Sequence, residues 1–381
     1  MTEINLDGQR LVAVLAKRGT EAKNLAEADW ERLIVLAAQH DVVPVTYARL
    51  KERGVVPPSP IANILRQAYL VSAARNVRLF DELGKILHAL QAASIPVVPF
   101  KGASLAEAVY GDIALRPMAD LDLWVQREHI DAARSVMESL SYELPAEAVR
   151  SLAWEAALTG ETQMSKEHAP LVELHWKIFP SEWVRHTARI DEDAIWDRTA
   201  QVEGSGAGHL SPEDAIIHSC VHLAVTHKMS DGGLRTFVDL DVARQKWAID
   251  WQTVAERARA WRVSCATWFV LQALAELFGD PGNQLPLAEL APSPLRQFLL
   301  KRFASARLVV EGLQLSSSPR RFLLLLLLVD RPVDALALVW RAVFRDRHWL
   351  TLRYDLPKAP SWRIWQLRVR HLVQLVATRQ I

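Results

Sequence analysis

The stretch SIPVVPFKGASLAEAVYGDIALRPMADLDLWV, residues 94–125, holds the pattern that decides the fold. It opens with a short β-branched and aromatic run, residues 94–100, which is typical of a buried strand. The turn Lys101–Ser104 ends that strand, and a helical pattern follows at Leu105–Tyr110. A strand that runs through a glycine turn into a helix presents free backbone N–H groups, which suit a phosphate. Many such turns contain one glycine for steric reasons alone, so the turn needs support from other features.

Two aspartates separated by one residue, Asp120 and Asp122, close the stretch. Strand periodicity places both carboxylates on one face and Leu121 and Leu123 on the other. Neighbouring carboxylates repel each other, and a divalent cation compensates for that repulsion. Oxygen ligands favour Mg²⁺ or Mn²⁺ over zinc. The alternative is a solvated edge strand with two surface aspartates.

A third carboxylate lies in a later apolar run, residues 170–176, which follows a predicted helix at residues 128–140. Glu173 has apolar neighbours on both sides, and these face the opposite side of the strand. If this strand pairs with the strand that holds the aspartates, the three carboxylates can hold two metal ions. His175 shares the face of Glu173 and is expected to support the site rather than to catalyse.

Together these features resemble the DNA polymerase β-like nucleotidyltransferase superfamily, whose core pattern is hG[G/S], Dh[D/E] and h[D/E]h. The nearer likeness is to a bacterial branch described as the nucleotidyltransferase family. The motifs of that branch match Lys101-Gly102-Ala103-Ser104-Leu105, Tyr110, Arg116-Pro117, Asp120-Leu121-Asp122-Leu123 and Glu173-Leu174-His175-Trp176. The likeness covers most of the chain and thins after about Asp280. Ala103 stands where many members have Ser or Gly, and the Ser104 hydroxyl follows it.

The resemblance implies an α+β fold, in which a small mixed sheet is preceded and followed by helical regions. It implies transfer of a nucleoside monophosphate from an NTP, with Mg²⁺ or Mn²⁺ bound by the catalytic residues Asp120, Asp122 and Glu173. The residues expected to bind the nucleotide are Lys101, Gly102, Ser104 and Arg116. Lys101 and Arg116 can instead pair with local carboxylates, and both alternatives stay open. The expected acceptor is a hydroxyl or phosphate of a small molecule, a peptide or a protein.

The resemblance and the residue patterns divide the chain into four regions. These are an N-terminal helical region at 1–93, the nucleotidyltransferase core at 94–205, a helical region packing on the core at 206–281, and a basic, Trp/Arg-rich helical region at 282–381.

Charge is split along the chain. From Lys301 to Ile381 there are 15 basic and 5 acidic residues, a net +10, whereas residues 1–300 hold 30 and 39, a net −9. This split excludes a protein that is basic enough along its whole length to coat nucleic acid. Four roles for the basic segment stay open: an acceptor-binding wall, a docking site for an acidic partner, a membrane-surface contact, or pairing with the acidic body. Pairing within the chain requires no other molecule and is the default prediction.

Several other features favour structural roles. His218 and His222 share a face of a predicted helix, but Ser219 replaces the glutamate of HExxH, so packing is favoured over zinc binding. Cys220 and Cys265 lack the spacing of a disulfide or metal site and are expected to be reduced, small apolar residues.

The polar, acidic N-terminus at residues 1–7 lacks the pattern of a secretory signal, which predicts a cytoplasmic protein. The longest strongly apolar run, Phe322–Val329, is far shorter than the roughly 20 residues that span a bilayer, so no transmembrane segment is expected. Arg235 and Asp239 are four residues apart on a predicted helix, which predicts an intrahelical or interdomain ion pair.

Two other classes of function stay open. A non-catalytic nucleotide-binding or interaction protein from a biosynthetic gene cluster would keep this fold and use the metal site weakly or not at all. The intact set of three carboxylates favours catalysis over that alternative. A transferase that modifies nucleic acid would need a basic groove near Asp120, whereas the positive charge lies after residue 300, so nucleic acid is not an expected partner.

Overall fold

A small four-stranded sheet lies between helices that precede and follow it, so the fold is α+β, as predicted. The structure is a computed structural model. It describes residues 5–16, 25–144, 160–201, 207–229, 233–303, 306–310, 318–354, 356 and 359–377.

Four helices precede the sheet: α1 (Leu6–Leu15), α2 (Glu27–Gln39), α3 (Val43–Glu52) and α4 (Ser59–Ala92). Helix α4 has 34 residues. It is therefore about 50 Å long at 1.5 Å per residue. Pro60 lies in its first turn, where the missing N–H has no intrahelical partner to lose. The last third of α4 packs Leu83, Ile86 and Leu90 beneath the sheet.

The sheet contains β1 (Val98–Phe100), β2 (Asp120–Trp124), β3 (Glu161–Met164) and β4 (Leu171–His175), in the order β1-β2-β4-β3. Strand β2 runs antiparallel to β1 and parallel to β4, and β3 runs antiparallel to β4. Asp122 lies opposite Phe100 on one side and Glu173 on the other. The prediction that the strand of Glu173 lies beside the strand of the two aspartates is confirmed.

The two faces of the sheet have different neighbours. On one face Leu121, Leu123 and Leu174 pack against α4 and against α6 (Ile130–Ser139), in a fully apolar cluster. The opposite face carries the three carboxylates and packs Phe100, at its edge, against the helices that follow the sheet. The register is strongly specified, because a shift by one residue would move every carboxylate into the apolar cluster.

Further helices and a short two-stranded sheet lie around and after the four-stranded sheet. They are α5 (Gly102–Leu105), α7 (Glu182–Thr187), α8 (Glu192–Asp197), β5 (Ala200–Gln201), β6 (Gly208–His209), α9 (Pro212–Val221), α10 (Gly233–Lys246), α11 (Trp251–Ala260) and α12 (Ser264–Phe278). Helix α12 is apolar on nearly all sides, as expected for a helix at the centre of a core. Cys220 and Cys265 are buried and free, as predicted.

Seven described helices complete the chain: α13 (Leu287–Leu290), α14 (Pro294–Leu300), α15 (Ala306–Val310), α16 (Ser318–Leu328), α17 (Pro332–Val343), α18 (Arg347–Arg353) and α19 (Ser361–Ala377). Helix α19 contains the basic amphipathic pattern of the sequence. Among the described helices, none combines the length and the hydropathy that crossing a bilayer requires.

Asp330 connects the C-terminal helices to the central helix α12 through two hydrogen bonds. Its carboxylate accepts hydrogen bonds from the backbone N–H of Ser264 at 2.9 Å and of Cys265 at 2.8 Å, in the first turn of α12. Those N–H groups have no acceptor within their own helix, and a negative charge at this end also suits the helix dipole. A residue 65 positions away in sequence therefore caps the central helix.

We expect Asp330→Ala to lower the free energy of unfolding by about 1–2 kcal/mol, because it removes a helix cap. Urea unfolding followed by circular dichroism measures this change. Glu31→Ala removes an exposed carboxylate of α2 and is the control, with an expected change below about 0.5 kcal/mol. Equal losses in the two variants would contradict the capping role.

Candidate active site

The parallel pairing of β2 with β4 brings the candidate metal ligands together. Asp122 and Glu173 are directly opposite each other, and His175 lies two residues further along β4 on the same face. One ligand atom from each of these three residues lies within 4.8 Å of the others. Asp120 projects from the same face of β2 but does not belong to this close group. The site therefore has two carboxylates and an imidazole at its centre.

His175 is completely buried among three carboxylates. Its Nε2 lies 3.1 Å from Asp122 Oδ1 and 3.6 Å from Glu173 Oε2, and its Nδ1 lies 3.2 Å from Glu161 Oε2. Burial opposes protonation of the ring, but the hydrogen bonds to Asp122 and Glu173 outweigh it and raise the pKa of His175. The imidazole thereby holds both central carboxylates in place.

Lys101 supplies the second positive group. Its Nζ lies 2.7 Å from Asp122 Oδ1 and 3.7 Å from Glu173 Oε2. Burial opposes the charge of the ammonium, but Asp122 outweighs burial and raises the pKa of Lys101. The residue has a backbone φ of +51°, which is uncommon for a residue other than glycine. Such a conformation costs roughly 1–3 kcal/mol and persists only where its surroundings impose it.

The pKa values of the two aspartates are shifted in opposite directions. Burial favours the neutral form of Asp122, yet the hydrogen bond from His175 and the charge of Lys101 hold its pKa well below the usual range. Burial raises the pKa of Asp120, and repulsion by Asp122 and Glu173 raises it further. Asp122 is thus neutralised within the site, whereas Asp120 is the carboxylate with most to gain from an added cation.

Arg116 lies over the turn at Gly102. A Cβ at position 102 would collide with the Arg116 guanidinium and would approach the Met118 side chain to 3.2 Å, so a larger residue there would displace Arg116 from its present position. The guanidinium donates from Nη2 to Asp239 Oδ2 at 3.2 Å, and the Tyr110 hydroxyl donates to Asp239 Oδ1 at 2.7 Å. Of the alternatives left open, both Lys101 and Arg116 pair with carboxylates in this structure.

Of the two alternatives for Arg235 and Asp239, the structure shows ion pairs with other regions of the chain rather than a pair within α10. Asp239 binds Arg116 and Tyr110, and Arg235 Nη1 lies 3.0 Å from Asp41 Oδ2. Both residues therefore connect α10 to other parts of the chain. Ser104 lies half-buried in α5 and makes no hydrogen bond with the described carboxylates of the site.

Over residues 26–279 the sequence matches the family described as "uncharacterised nucleotidyltransferase". The chain belongs to this family of nucleotidyltransferase enzymes. No curated protein matches the sequence. A solution structure of the antibiotic-resistance factor ANT(2'')-Ia is 14% identical, with a TM-score of 0.31, and the match covers 46% of this chain and 88% of that one. A TM-score this low does not establish a shared fold.

The candidate site also includes β3, a strand that the sequence patterns did not predict. Gln163 Nε2 donates to Glu173 Oε1 at 2.8 Å, and Glu161 approaches His175 from the same strand. Thr162 and Met164 are buried on the opposite face. Because Thr162 is polar as well, the four residues do not alternate between polar and apolar, and the sequence gives little signal for this strand.

His218 and His222 of the nucleotidyltransferase stack on each other, with ring centroids 5.5 Å apart and planes at 18°. His218 Nε2 lies 3.1 Å from the Ile178 carbonyl oxygen, and its ring contacts Phe100 and Phe179. This is the packing role that the sequence predicted. Among described residues, the possible metal-binding group is that of Asp122, Glu173 and His175.

The stacked histidines predict a loss of stability in acid. Burial, assisted by the charge of Lys101, lowers the pKa of His218 to about 3. The unfolded chain has a histidine pKa near 6.5, so below about pH 6.5 the unfolded state binds a proton that the folded state does not. Between pH 7 and pH 5 the free energy of unfolding should therefore fall about 2 kcal/mol more in the wild type than in His218→Gln.

Urea unfolding at both pH values gives this difference for the wild type and the variant. Subtracting the variant's loss from the wild type's removes titrations that the two proteins share, including those of the site carboxylates. Parallel losses in the two proteins would show that His218 is not held neutral.

Proposed function

We propose that the protein transfers a nucleoside monophosphate from an NTP to a hydroxyl or phosphate of a small-molecule, peptide or protein acceptor, and releases pyrophosphate. We further propose that the reaction depends on Mg²⁺ or Mn²⁺. The observation that carries the proposal is the convergence of Asp122, Glu173 and His175 on one face of the sheet, in a chain of a nucleotidyltransferase family.

The donor set fits a divalent cation. Asp122 and Glu173 offer carboxylate oxygens within reach of one another, and Asp120 adds a third carboxylate on the same face. The raised pKa of Asp120 supports the proposal, because its carboxylate lacks enough positive charge nearby. Oxygen donors favour Mg²⁺ or Mn²⁺. We assign the metal to Asp120, Asp122 and Glu173, with His175 orienting two of them.

A divalent ion bound there would neutralise charge on the triphosphate and on the pyrophosphate that leaves. Within the protein, Glu173 is the residue placed to orient the acceptor. Gln163 donates to Glu173 Oε1, while Glu173 Oε2 faces Lys101 and His175. One oxygen is therefore held by the sheet, and the other can accept a proton from the attacking hydroxyl.

The turn at Gly102 is the proposed phosphate site. Gly102 lets the backbone approach a phosphate closely, and the Arg116 guanidinium lies directly over it. Lys101 Nζ binds Asp122 and would have to leave that carboxylate when a metal arrives. Its flexible stem can then carry the ammonium to a phosphate oxygen. Ser104 adds a hydroxyl in the next turn.

The contact between Lys101 and the carboxylates also favours a second candidate function. An ammonium between Asp122 and Glu173 neutralises the pair without a metal. A non-catalytic protein that binds nucleotide or a partner on this fold could retain such an arrangement. Metal dependence of nucleotide binding separates the two candidates.

Asp120→Asn tests the proposal with little risk to the fold. The substitution removes a carboxylate that is repelled by its neighbours, so the free energy of unfolding should not fall. Metal-dependent pyrophosphate release should fall about 100-fold or more, because a metal ligand is lost. The assay incubates the protein with each labelled NTP, Mg²⁺ or Mn²⁺ and a cell extract, and follows pyrophosphate and labelled acceptor.

Asp122→Asn should lose activity and also lose stability, because Lys101 and His175 would keep buried charge without their partner. Asp131→Asn, on the exposed side of α6, is the control and should change neither. Calorimetry that shows unchanged Mg²⁺-dependent NTP binding in Asp120→Asn and Asp122→Asn would refute the metal assignment. Absence of pyrophosphate release with every NTP and both metals would favour the non-catalytic candidate.

A further inference from the structure

Helix α17 has a row of apolar side chains that are exposed to solvent. Val333, Leu336, Trp340 and Phe344 are 51%, 71%, 64% and 46% exposed. Their spacing of three and four residues places them on one stripe. Leu338 and Ala342, on the opposite side of the helix, are buried. A surface helix normally carries polar residues on its outer face, so α17 is apolar on both sides.

Helix α19 also exposes a stripe of apolar side chains to solvent. Trp362, Trp365 and Val369 form an outward stripe and are 62%, 67% and 48% exposed. The inner face packs Ile364 and Leu367 into a small apolar cluster of their own. The packing of α19 therefore does not require the two outward tryptophans.

The two helices adjoin at one end of the molecule. His371 Nε2 of α19 lies 3.1 Å from the Ala342 carbonyl oxygen of α17, and Arg368 Nε donates to the Arg345 carbonyl oxygen at 3.4 Å. We call the outward stripes of the two helices the C-terminal surface, with the residues Val333, Leu336, Trp340, Phe344, Trp362, Trp365 and Val369. Their combined apolar exposure is the kind that marks an interaction site on a protein surface.

Arginines lie close in sequence to the residues of the C-terminal surface, and several of them are not neutralised by carboxylates within the described part of the chain. Arg341, Arg347, Arg363 and Arg370 are exposed and make no ion pair with a described carboxylate. Among described residues, the ion pair that joins the basic segment to residues 1–300 is Arg345 with Glu182, at 2.8 Å. The default prediction, pairing with the acidic body, therefore accounts for little of the +10 charge of residues 301–381.

We propose that the C-terminal surface binds the headgroup region of an anionic phospholipid bilayer, with α17 and α19 lying along the interface. A helix with exposed tryptophans and flanking arginines is typical of such binding, because the rings suit the boundary between headgroups and acyl chains and the arginines attract anionic lipid. A second copy at this surface would oppose arginine to arginine. An acidic protein would satisfy the arginines and leave the two apolar stripes unexplained.

Cosedimentation of the full chain with vesicles tests the proposal. Vesicles of phosphatidylcholine mixed with phosphatidylglycerol should bind the protein at least about tenfold more tightly than phosphatidylcholine alone, because the arginines require anionic lipid. The double variant Trp362→Ser/Trp365→Ser should weaken binding to the mixed vesicles at least about tenfold, because it removes the insertion stripe. Arg363→Gln/Arg370→Gln should weaken binding and reduce its dependence on salt.

Leu70→Ser/Val71→Ser is the matched control, because those residues of α4 are exposed apolar side chains outside the C-terminal surface. The control should bind vesicles like the wild type. Thermal unfolding of each variant checks that the fold is kept, and Trp340→Ser on α17 provides a second test if the α19 variant does not fold.

Several outcomes would overturn the proposal. One is absence of binding to the mixed vesicles at low ionic strength, and another is an equal loss in the α4 control. Binding to the mixed vesicles that depends on the arginines but not on the tryptophans would indicate electrostatic adsorption without insertion of the two apolar stripes. A concentration-dependent dimer in light scattering that Trp362→Ser/Trp365→Ser dissociates would indicate a second copy of the chain as the occupant.

Discussion

The crowding of carboxylates on one face of a buried sheet is the constraint on which the rest of the structure depends. Asp122 is only 5% exposed and stands directly opposite Glu173 on the neighbouring strand. Two negative charges so placed repel strongly in a medium of low dielectric constant, and each is costly without a positive partner. Lys101, directly after β1, and His175, the last residue of β4, supply these positive partners. The positive φ of Lys101 is a local cost that this neutralisation outweighs.

Helices on both sides of the sheet help to position the charged residues of the site. Arg116 is held over the Gly102 turn by Asp239 of α10, and Asn76 of α4 donates to the Arg116 carbonyl oxygen at 2.8 Å. The turn is therefore clamped by a helix from before the sheet and a helix from after it. The family match over residues 26–279 includes both of these helices. Helices on both sides contribute to the geometry of the site.

Local periodicity was sufficient to predict the parts of the site that lie on apolar strands. The strands β1, β2 and β4 each combine buried apolar residues with a distinctive polar position, so their existence and their shared face could be read from the sequence. Strand β3 has only four residues, of which Met164 is the one apolar residue, and this gives a weak pattern. The prolines of the segment Pro281–Pro294 favour a loop, but the segment contains the one-turn helix α13. A single turn has too few residues for a detectable period.

Local periodicity did not predict the contacts between residues that are far apart in the sequence. A spacing of four on α10 suggested that Arg235 pairs with Asp239, but Asp239 instead binds Arg116, 123 residues away. The difference is one of burial. An exposed pair four residues apart gains only a few tenths of a kcal/mol, whereas a buried guanidinium without a partner costs far more. Asp239 is 3% exposed, so its carboxylate must satisfy a buried cation.

The difference between buried and exposed charges also explains why the basic residues after 300 form few ion pairs with the acidic residues before it. Counting charges suggested that the basic residues after 300 would neutralise the acidic residues before it, yet charge alone gives little reason for them to meet. Water already solvates an exposed arginine well, and an exposed ion pair adds about 0–1 kcal/mol. Lys101 has no such alternative, because the site around it is buried. Burial therefore makes a carboxylate partner necessary for Lys101, whereas an arginine at the surface can remain without one.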